Sequence, residues 1–357
     1  MTRSIAFYLP QYHPIPENDE WWGEGFTDWH NVTKARPRFA GHVQPQVPGE
    51  LGYYDLGDAE VRTAQATLAA DFGIDAFCYY HYWFGGRRLL EQPFDAVLNS
   101  GEPDFPFMLC WANEGWTRSW SGGGEVLMPQ RYDDADDLAH VRWLCEAFAD
   151  PRYERVDGKP VFLVYRASDL PDARRTTDRW RTEAARLGVG ELFLARVESF
   201  RSEHGDPTAL GFDAAVEFQP DWRNVRPSLV ATGVRRAAKA LRVRASGLPS
   251  HTRHDYEAVA TAALAHPPVD YRRFPCVTPS WDNTARRAEG AVVLTGSTPE
   301  RYEAWLSATL RNNPELVFVN AWNEWGEGAH LEPCEQWGRK YLEAHLRAMN
   351  KQLASGS

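Results

Sequence analysis

Short apolar runs alternate along this chain with stretches in which apolar positions recur every three or four residues. The runs over 4–10, 74–83, 105–113, 160–165, 192–197, 212–218, 274–281 and 316–321 read as strands buried on both faces. Between them the 3.6-residue period predicts helices over 59–72, near 93–99, and over 135–149, 177–187, 298–310 and 335–349. In the first helix Val61, Ala64, Leu68 and Phe72 share a face and Gly73 can close it; Gly188 stops the fourth. Eight strands alternating with helical segments predict a (β/α)8 barrel of the TIM type with long βα loops. An open doubly wound sheet would call for a Gly-rich phosphate turn after an early strand, and none is present. The SGGG stretch over 121–124 lacks the lysine of a phosphate loop. The whole chain, 1–357, is expected to form one barrel domain.

Two segments interrupt the alternation. Residues 11–56, rich in Pro, Gly and aromatics, make a loop of a length usually reserved for function. Residues 227–267 form an insertion carrying Arg235, Arg236, Lys239, Arg242 and Arg244, which reads as a solvated helical face.

Composition narrows the function. The formal net charge of −10 argues against a nucleic-acid-binding surface. The five cysteines are scattered without a CxxC, and Cys78, Cys110 and Cys276 sit inside apolar strands, so neither a disulfide framework nor a zinc site is expected. No histidine clustering marks a metal centre, and no metal or cofactor is expected. Absence of a signal peptide or a membrane-length apolar run predicts a cytoplasmic protein without membrane insertion. Fifteen tryptophans supply flat apolar faces of the kind sugar rings use.

In a barrel of this type the active site lies at the C-terminal strand ends, and polar and aromatic residues collect there. Strand one ends in Tyr8, followed by Gln11; strand two ends in Tyr80, His81, Tyr82 and Trp83. Strand three runs into Trp111, Asn113, Glu114, Trp116 and Arg118, strand six ends at Glu217, and strand seven ends in Trp281, Asp282 and Asn283. Strand eight delivers Asn320, Trp322, Asn323, Glu324, Trp325 and Glu327. Polar groups at this density cost free energy unless paired or facing a wet cleft. Glu324 and Glu327, with Gly326 and Gly328 around them, could have their pKa values driven apart into an acid and a base. His81 alone reads more often as a hydrogen-bonded structural histidine than as a catalytic one, and Glu114 with Arg118 reads as a local ion pair.

The segments IAFYLPQYHP, EGFTDWHNV, DAFCYYHYWF, CWANEGWTRSW, TPSWDNTARR and NAWNEWGEGAHLEP together resemble the WbsX-like family. That family carries the label of a glycosyltransferase of bacterial surface-polysaccharide pathways and is related to glycoside hydrolase family 99. Gly115 stands where the family usually has Asn. The resemblance implies a (β/α)8 barrel and retaining chemistry on an α-mannoside-like sugar, with a carbohydrate as the partner. It implies Glu324 as a base on the sugar 2-hydroxyl, which closes a 1,2-anhydro ring, and Glu327 as the acid/base. Two other functions stay open: a glycosyltransferase or transglycosylase of polysaccharide assembly, and a catalytically silent sugar-binding barrel. The absence of a nucleotide-binding signature favours hydrolysis or transglycosylation, and the presence of both glutamates argues against a silent barrel.

Overall fold

The computed structural model describes residues 2–117, 125–225 and 251–355. The predicted strands assemble in chain order: β1 Arg3–Tyr8, β2 Ala76–Phe84, β3 Phe107–Trp111, β4 Lys159–Val164, β5 Phe193–Glu198 and β6 Ala214–Glu217. The seventh position is split into Arg273–Phe274 and Cys276–Val277, together β7, because Pro275 interrupts the ladder. β8 is Leu316–Val319. Each strand pairs in parallel with the next, from β1–β2 through to β5–β6. The first half of β7 pairs with β6, its second half with β8, and β8 pairs with β1. The ring therefore closes as a TIM-type barrel.

The helices cover the outside. α1 Pro16–Trp22 and α2 Trp29–Lys34 lie in the long loop after β1, where no periodic signal marks a helix, and α3 Ala59–Asp71 returns the chain to β2. α4 Gln92–Ser100, α5 Asp134–Phe148 and α6 Ala173–Arg186 follow β2, β3 and β4. α7 Tyr256–Leu264 precedes β7, α8 Pro299–Leu310 precedes β8, and α9 Lys340–Ser355 ends the described chain. The Asp58, Asp133, Asp172, Asp255 and Thr298 side chains accept backbone N–H bonds at the starts of α3, α5, α6, α7 and α8.

Several boundaries differ from the pattern. α6 begins at Ala173, a turn earlier than predicted, because Asp172 caps it. α9 begins at Lys340 and not near residue 335, since Gly338, at φ +54°, donates its N–H to the Cys334 carbonyl in a tight turn. Between β5 and β6 only two short 3₁₀ turns, Arg201–Glu203 and Thr208–Leu210, replace a helix. Within the predicted insertion, Thr252–Asp255 forms a parallel ladder with Val292–Thr295, and α7 follows it directly. Arg235, Arg236, Lys239, Arg242 and Arg244 lie outside the described residues.

Strand parity sets what faces where. Phe7 of β1, Tyr80 of β2, Phe318 of β8 and Phe218 just past β6 meet inside the barrel, with ring centroids 5.5–5.8 Å from Phe7. Their neighbours in sequence point outward. Tyr8 packs on Phe77 and Tyr79, and His81 stacks on Trp143 of α5. Trp111 meets His140 of α5 and Trp180 of α6.

Candidate active site

β8 ends at Val319, and the chain then folds into a small hairpin. Asn323–Glu324 pairs antiparallel with Ala329–His330, and a 3₁₀ turn, Trp325–Glu327, joins the two arms. Gly328 closes the turn at φ +59°, a conformation that excludes most side chains; a Cβ there would also meet Asp282 atoms at 2.9–3.2 Å. Glu324 and Glu327 thus stand at opposite ends of one short turn.

The turn is pinned from below. The Asn323 amide clasps the end of β1: its Oδ1 accepts from the Leu9 N–H (2.7 Å) and its Nδ2 donates to the Leu9 carbonyl (3.0 Å). The Tyr12 hydroxyl donates to the Asn323 carbonyl (2.8 Å) and accepts from the Trp325 N–H (3.1 Å). Glu332, 2% exposed, accepts from Trp325 Nε1 (2.6 Å), Gln65 Nε2 (2.6 Å) and the Tyr54 hydroxyl (2.8 Å). Tyr8 joins this network by donating to Gln65 Oε1 (2.7 Å).

Above the turn sits Arg286, from the loop after β7. Its Nη2 is 2.8 Å from Asp28 Oδ2 and 2.9 Å from Glu324 Oε2; its Nη1 is 3.1 Å from Glu327 Oε1. Three carboxylates share one guanidinium. Gly326 makes the approach possible, since a Cβ there would lie 2.4 Å from Asp28 Oδ2 and 2.6 Å from Arg286 Nε. A second lock holds the same loop. The Asp282 N–H donates to the Glu327 carbonyl (2.6 Å), while the Asp282 carboxylate accepts from Gln44 (2.7 Å) and Thr284 (2.6 Å) and contacts His42 Nε2 (2.6 Å). These bonds hold the Asp282 carboxyl below the usual range despite its burial.

Burial has the opposite effect on the glutamates. It pushes Glu324 up to about 8, with Arg286 pulling the other way and the Glu327 and Asp28 charges adding to the rise. Glu327 is raised by the same cause. The side chain of Glu324 is 8% exposed and that of Glu327 24%, so Glu324 is the more desolvated of the two.

Both carboxylates and Arg286 line a cavity of about 550 Å³ at the C-terminal ends of the strands. One wall carries Asn18 and Trp22 of α1 with Tyr80, Tyr82, Glu114 and Trp116; the other carries Tyr165, Phe200, Phe218, Trp222 and Trp281. Asn283 and Arg287 complete it near Arg286. Glu114 pairs with Arg166 (2.7 Å), and burial still raises its pKa. Asn18 is fully buried, and neither polar atom of its amide has a partner among the described residues.

Of the residues singled out in sequence, Glu324, Glu327, Tyr80, Glu114, Trp116, Trp281 and Asn283 meet at this cavity. Tyr8, His81 and Trp111 do not, because they occupy the outward parity of their strands. His81 lies 2.9 Å from His140 Nε2, and burial pushes it down to about 3; Trp111 donates to the Trp83 carbonyl. Asn113 ties β3 to β4 by accepting from the Arg166 N–H and donating to its carbonyl. Glu217 pairs with Arg273 (3.1 Å) beside β7. Asp282 locks the loop after β7, Asn323 and Trp325 act beneath the turn, and Trp322 packs on Phe77 in the core. Arg118 lies outside the described residues. Gly115 lines the cavity, and a Cβ there would touch the Met128 carbonyl at 3.3 Å. Sequence reasoning assigned no role to Asp28, Arg286, Arg287, Asn18 or Trp222, although EGFTDWHNV holds Asp28 and TPSWDNTARR holds both arginines.

Among the described residues no group of three or more His, Cys, Asp or Glu side chains is disposed to hold a metal ion. No helix among them is long and apolar enough to cross a membrane.

The sequence profile described as glycosyltransferase WbsX matches residues 4–345. The chain belongs to the WbsX glycosyltransferase family. Related to this WbsX-family chain is the uncharacterized protein WxcX of two strains of Xanthomonas campestris pv. campestris, 42% identical over 355 residues. That match covers 97% of this chain and 49% of WxcX, so the chain spans about half the length of the relatives it matches. The barrel of this chain is similar to that of the GH99 endo-α-mannosidase of Bacteroides thetaiotaomicron, at a TM-score of 0.61 and 14% identity over 100% of this chain and 99% of that one. A protein described as glycoside hydrolase-like superposes at a TM-score of 0.58 and 13% identity, over 97% of this chain and 93% of the other. At these identities the likeness is one of fold.

Proposed function

We propose that this WbsX-family chain is a glycan-cleaving enzyme that acts with retention on an α-mannoside-like linkage of a bacterial polysaccharide. The observation that carries the reading is the pair Glu324 and Glu327, raised on one turn at a strand-end cavity walled by aromatic rings. Tryptophan and tyrosine faces suit the apolar faces of sugar rings, and the paired carboxyls suit proton transfer at a glycosidic oxygen.

Both carboxylates issue from one short turn, an awkward source for two groups that must flank opposite faces of a sugar. A base acting on a neighbouring hydroxyl relaxes that demand. Glu324 takes the proton of the sugar 2-hydroxyl as O2 attacks C1, while Glu327 gives its proton to the departing oxygen. The C1–O bond breaks and a 1,2-anhydro sugar forms. Glu327 then takes a proton from water as it adds to C1, the C1–O2 bond breaks, and Glu324 returns its proton to O2. This route requires Glu324 ionised and Glu327 protonated. Burial favours a protonated Glu324, so the substrate itself supplies part of the split: a 2-hydroxyl donating to Glu324 stabilises its ionised form.

The family description supports a second reading, transfer of the sugar to an acceptor hydroxyl in place of water. Product analysis distinguishes the two. A panel of α-mannosides and bacterial polysaccharides is incubated with the protein, with and without an acceptor sugar and a nucleotide-sugar donor. Release of reducing sugar with retained configuration, without a donor, is the expected result. Product only in the presence of a nucleotide-sugar overturns the hydrolytic reading. A 2-deoxy or 2-fluoro substrate should bind without turnover, and a glycosyl ester trapped on Glu324 would restore direct nucleophilic attack.

A further inference from the structure

We propose that Asp28 and Arg286 form a positioning pair that sets how the glutamate pair is protonated, with Asp28 gripping the guanidinium so that its Nη2 and Nη1 stay within ion-pair distance of Glu324 and Glu327. The inference rests on the reading of those glutamates as the proton-transfer groups.

The geometry is specific. Asp28 is fully buried and takes Arg286 through Nε (3.3 Å) and Nη2 (2.8 Å). It is itself held: Asn31 Nδ2 donates to its Oδ1 (2.9 Å), and its backbone N–H donates to the Gln11 carbonyl (3.1 Å). Nη2 then lies 2.9 Å from Glu324 Oε2, an ion pair without an aligned hydrogen bond, and Nη1 lies 3.1 Å from Glu327 Oε1. A planar fork gripped on one edge cannot turn, whereas a lysine ammonium in its place would be a point charge without direction. Gly326 leaves room for both groups against the turn.

The charge balance explains why an aspartate is used. Three ionised carboxylates around one guanidinium would leave two uncompensated charges in a buried site, which is costly. One proton on the Glu324–Glu327 pair relieves part of that, and the proton is the one the proposed chemistry moves. Asp28, by adding a fixed negative charge, holds that proton on the pair; Arg286, by adding a positive one, keeps the pair from holding two. The groups facing the pair from other elements are Arg287 of the same loop and the hydroxyls of Tyr12, Tyr80, Tyr82 and Tyr165, which stay neutral because burial raises their pKa values.

The test compares the wild type with Asp28→Asn, Arg286→Lys and Arg286→Gln. Carboxyl titration is followed by ¹³C-glutamate NMR or infrared difference spectroscopy, and the pH dependence of kcat/KM is followed on whichever glycan is cleaved. Asp28→Asn should move the titration of the pair, and the alkaline limb of kcat/KM with it, down by about one pH unit. Arg286→Gln should move both up by a similar amount. Arg286→Lys should restore the titration but not kcat, because the charge returns without the fork. Should Arg286→Gln fail to fold, Asp28→Asn and Arg286→Lys still decide the matter. Unmoved carboxyl titrations in Asp28→Asn overturn the proposal. Titrations that move as expected in a protein that cleaves no glycan leave the pair standing and overturn the catalytic reading.

Discussion

Glu327 is the more exposed of the two glutamates, and a group that protonates a leaving oxygen must reach into the cavity. Glu327→Gln should reduce kcat/KM on natural linkages by about 10²–10⁴-fold while sparing activated aryl glycosides, whose leaving groups need no proton. Equal losses on the two substrate types would remove the acid role from Glu327. Asn18 carries an amide without a partner in a fully buried place along the cavity wall, a situation that costs free energy unless a ligand or water meets it. Asn18→Ala should raise KM several-fold and leave the melting temperature unchanged or higher; a KM that stays put assigns the amide to structure. Trp111 makes the opposite case. It is 1% exposed and surrounded by His140, Trp180 and Tyr132, so Trp111→Ala should cost about 3–5 kcal/mol in a denaturant melt. The expectation that this indole lies in the sugar cleft gives way to strand parity. Trp281, 2% exposed, lines the cavity.

At the scale of elements, the turn that carries Glu324 and Glu327 is defined by what is absent from it. Any side chain at position 326 must displace Asp28 or Arg286, since both lie within 2.6 Å of the place its Cβ would occupy. Gly326→Ala should therefore abolish cleavage, with a smaller loss of stability as the Asp28–Arg286 pair is pushed off the turn. Full activity in that variant would show that the pair is dispensable. The loop after β1 is the other decisive element. It supplies Asn18, Trp22 and Asp28 to the site and Gln44 and His42 to the Asp282 lock. Its length signalled function in the sequence, but α1 and α2 left no periodic trace because they are only seven and six residues long.

For the whole molecule, buried titratable groups give stability a defined pH dependence. Glu324 is pushed up to about 8 and Glu332 up to about 7, above their values in an unfolded chain. A carboxyl raised on folding contributes fully below its unfolded pKa and loses that contribution as pH rises through the folded one. His81, His330 and His345 are pushed down by burial, to about 3, 4 and 4. Their contribution is present above the unfolded histidine pKa and is lost as pH falls toward the folded values. Above the unfolded histidine pKa the histidine contribution is level, and the two raised carboxyls give a decline in stability toward pH 8. Glu332→Gln should flatten that decline in a series of thermal melts while keeping an acceptor for Trp325 and Tyr54, at the cost of the bond from Gln65. A decline of unchanged slope would take Glu332 out of this account.

Local pattern by itself determined the barrel and the neighbourhood of its site. A strand buried on both faces must be a continuous apolar run, an outer helix must be amphipathic, and polar clusters after such runs fall at the C-terminal rim. That logic placed β1 to β8 within a few residues and brought Glu324, Glu327, Tyr80, Trp116 and Trp281 to one cavity. It could not separate Tyr80 from His81, because facing inward or outward depends on the ring closing, which no local run encodes. Nor could it find the link from Arg286 to Asp28, 258 residues apart, since neither residue carries a local mark of its partner. Only the folded barrel, by setting α2 and the loop after β7 against the turn of Glu324 and Glu327, decided which charges those glutamates feel.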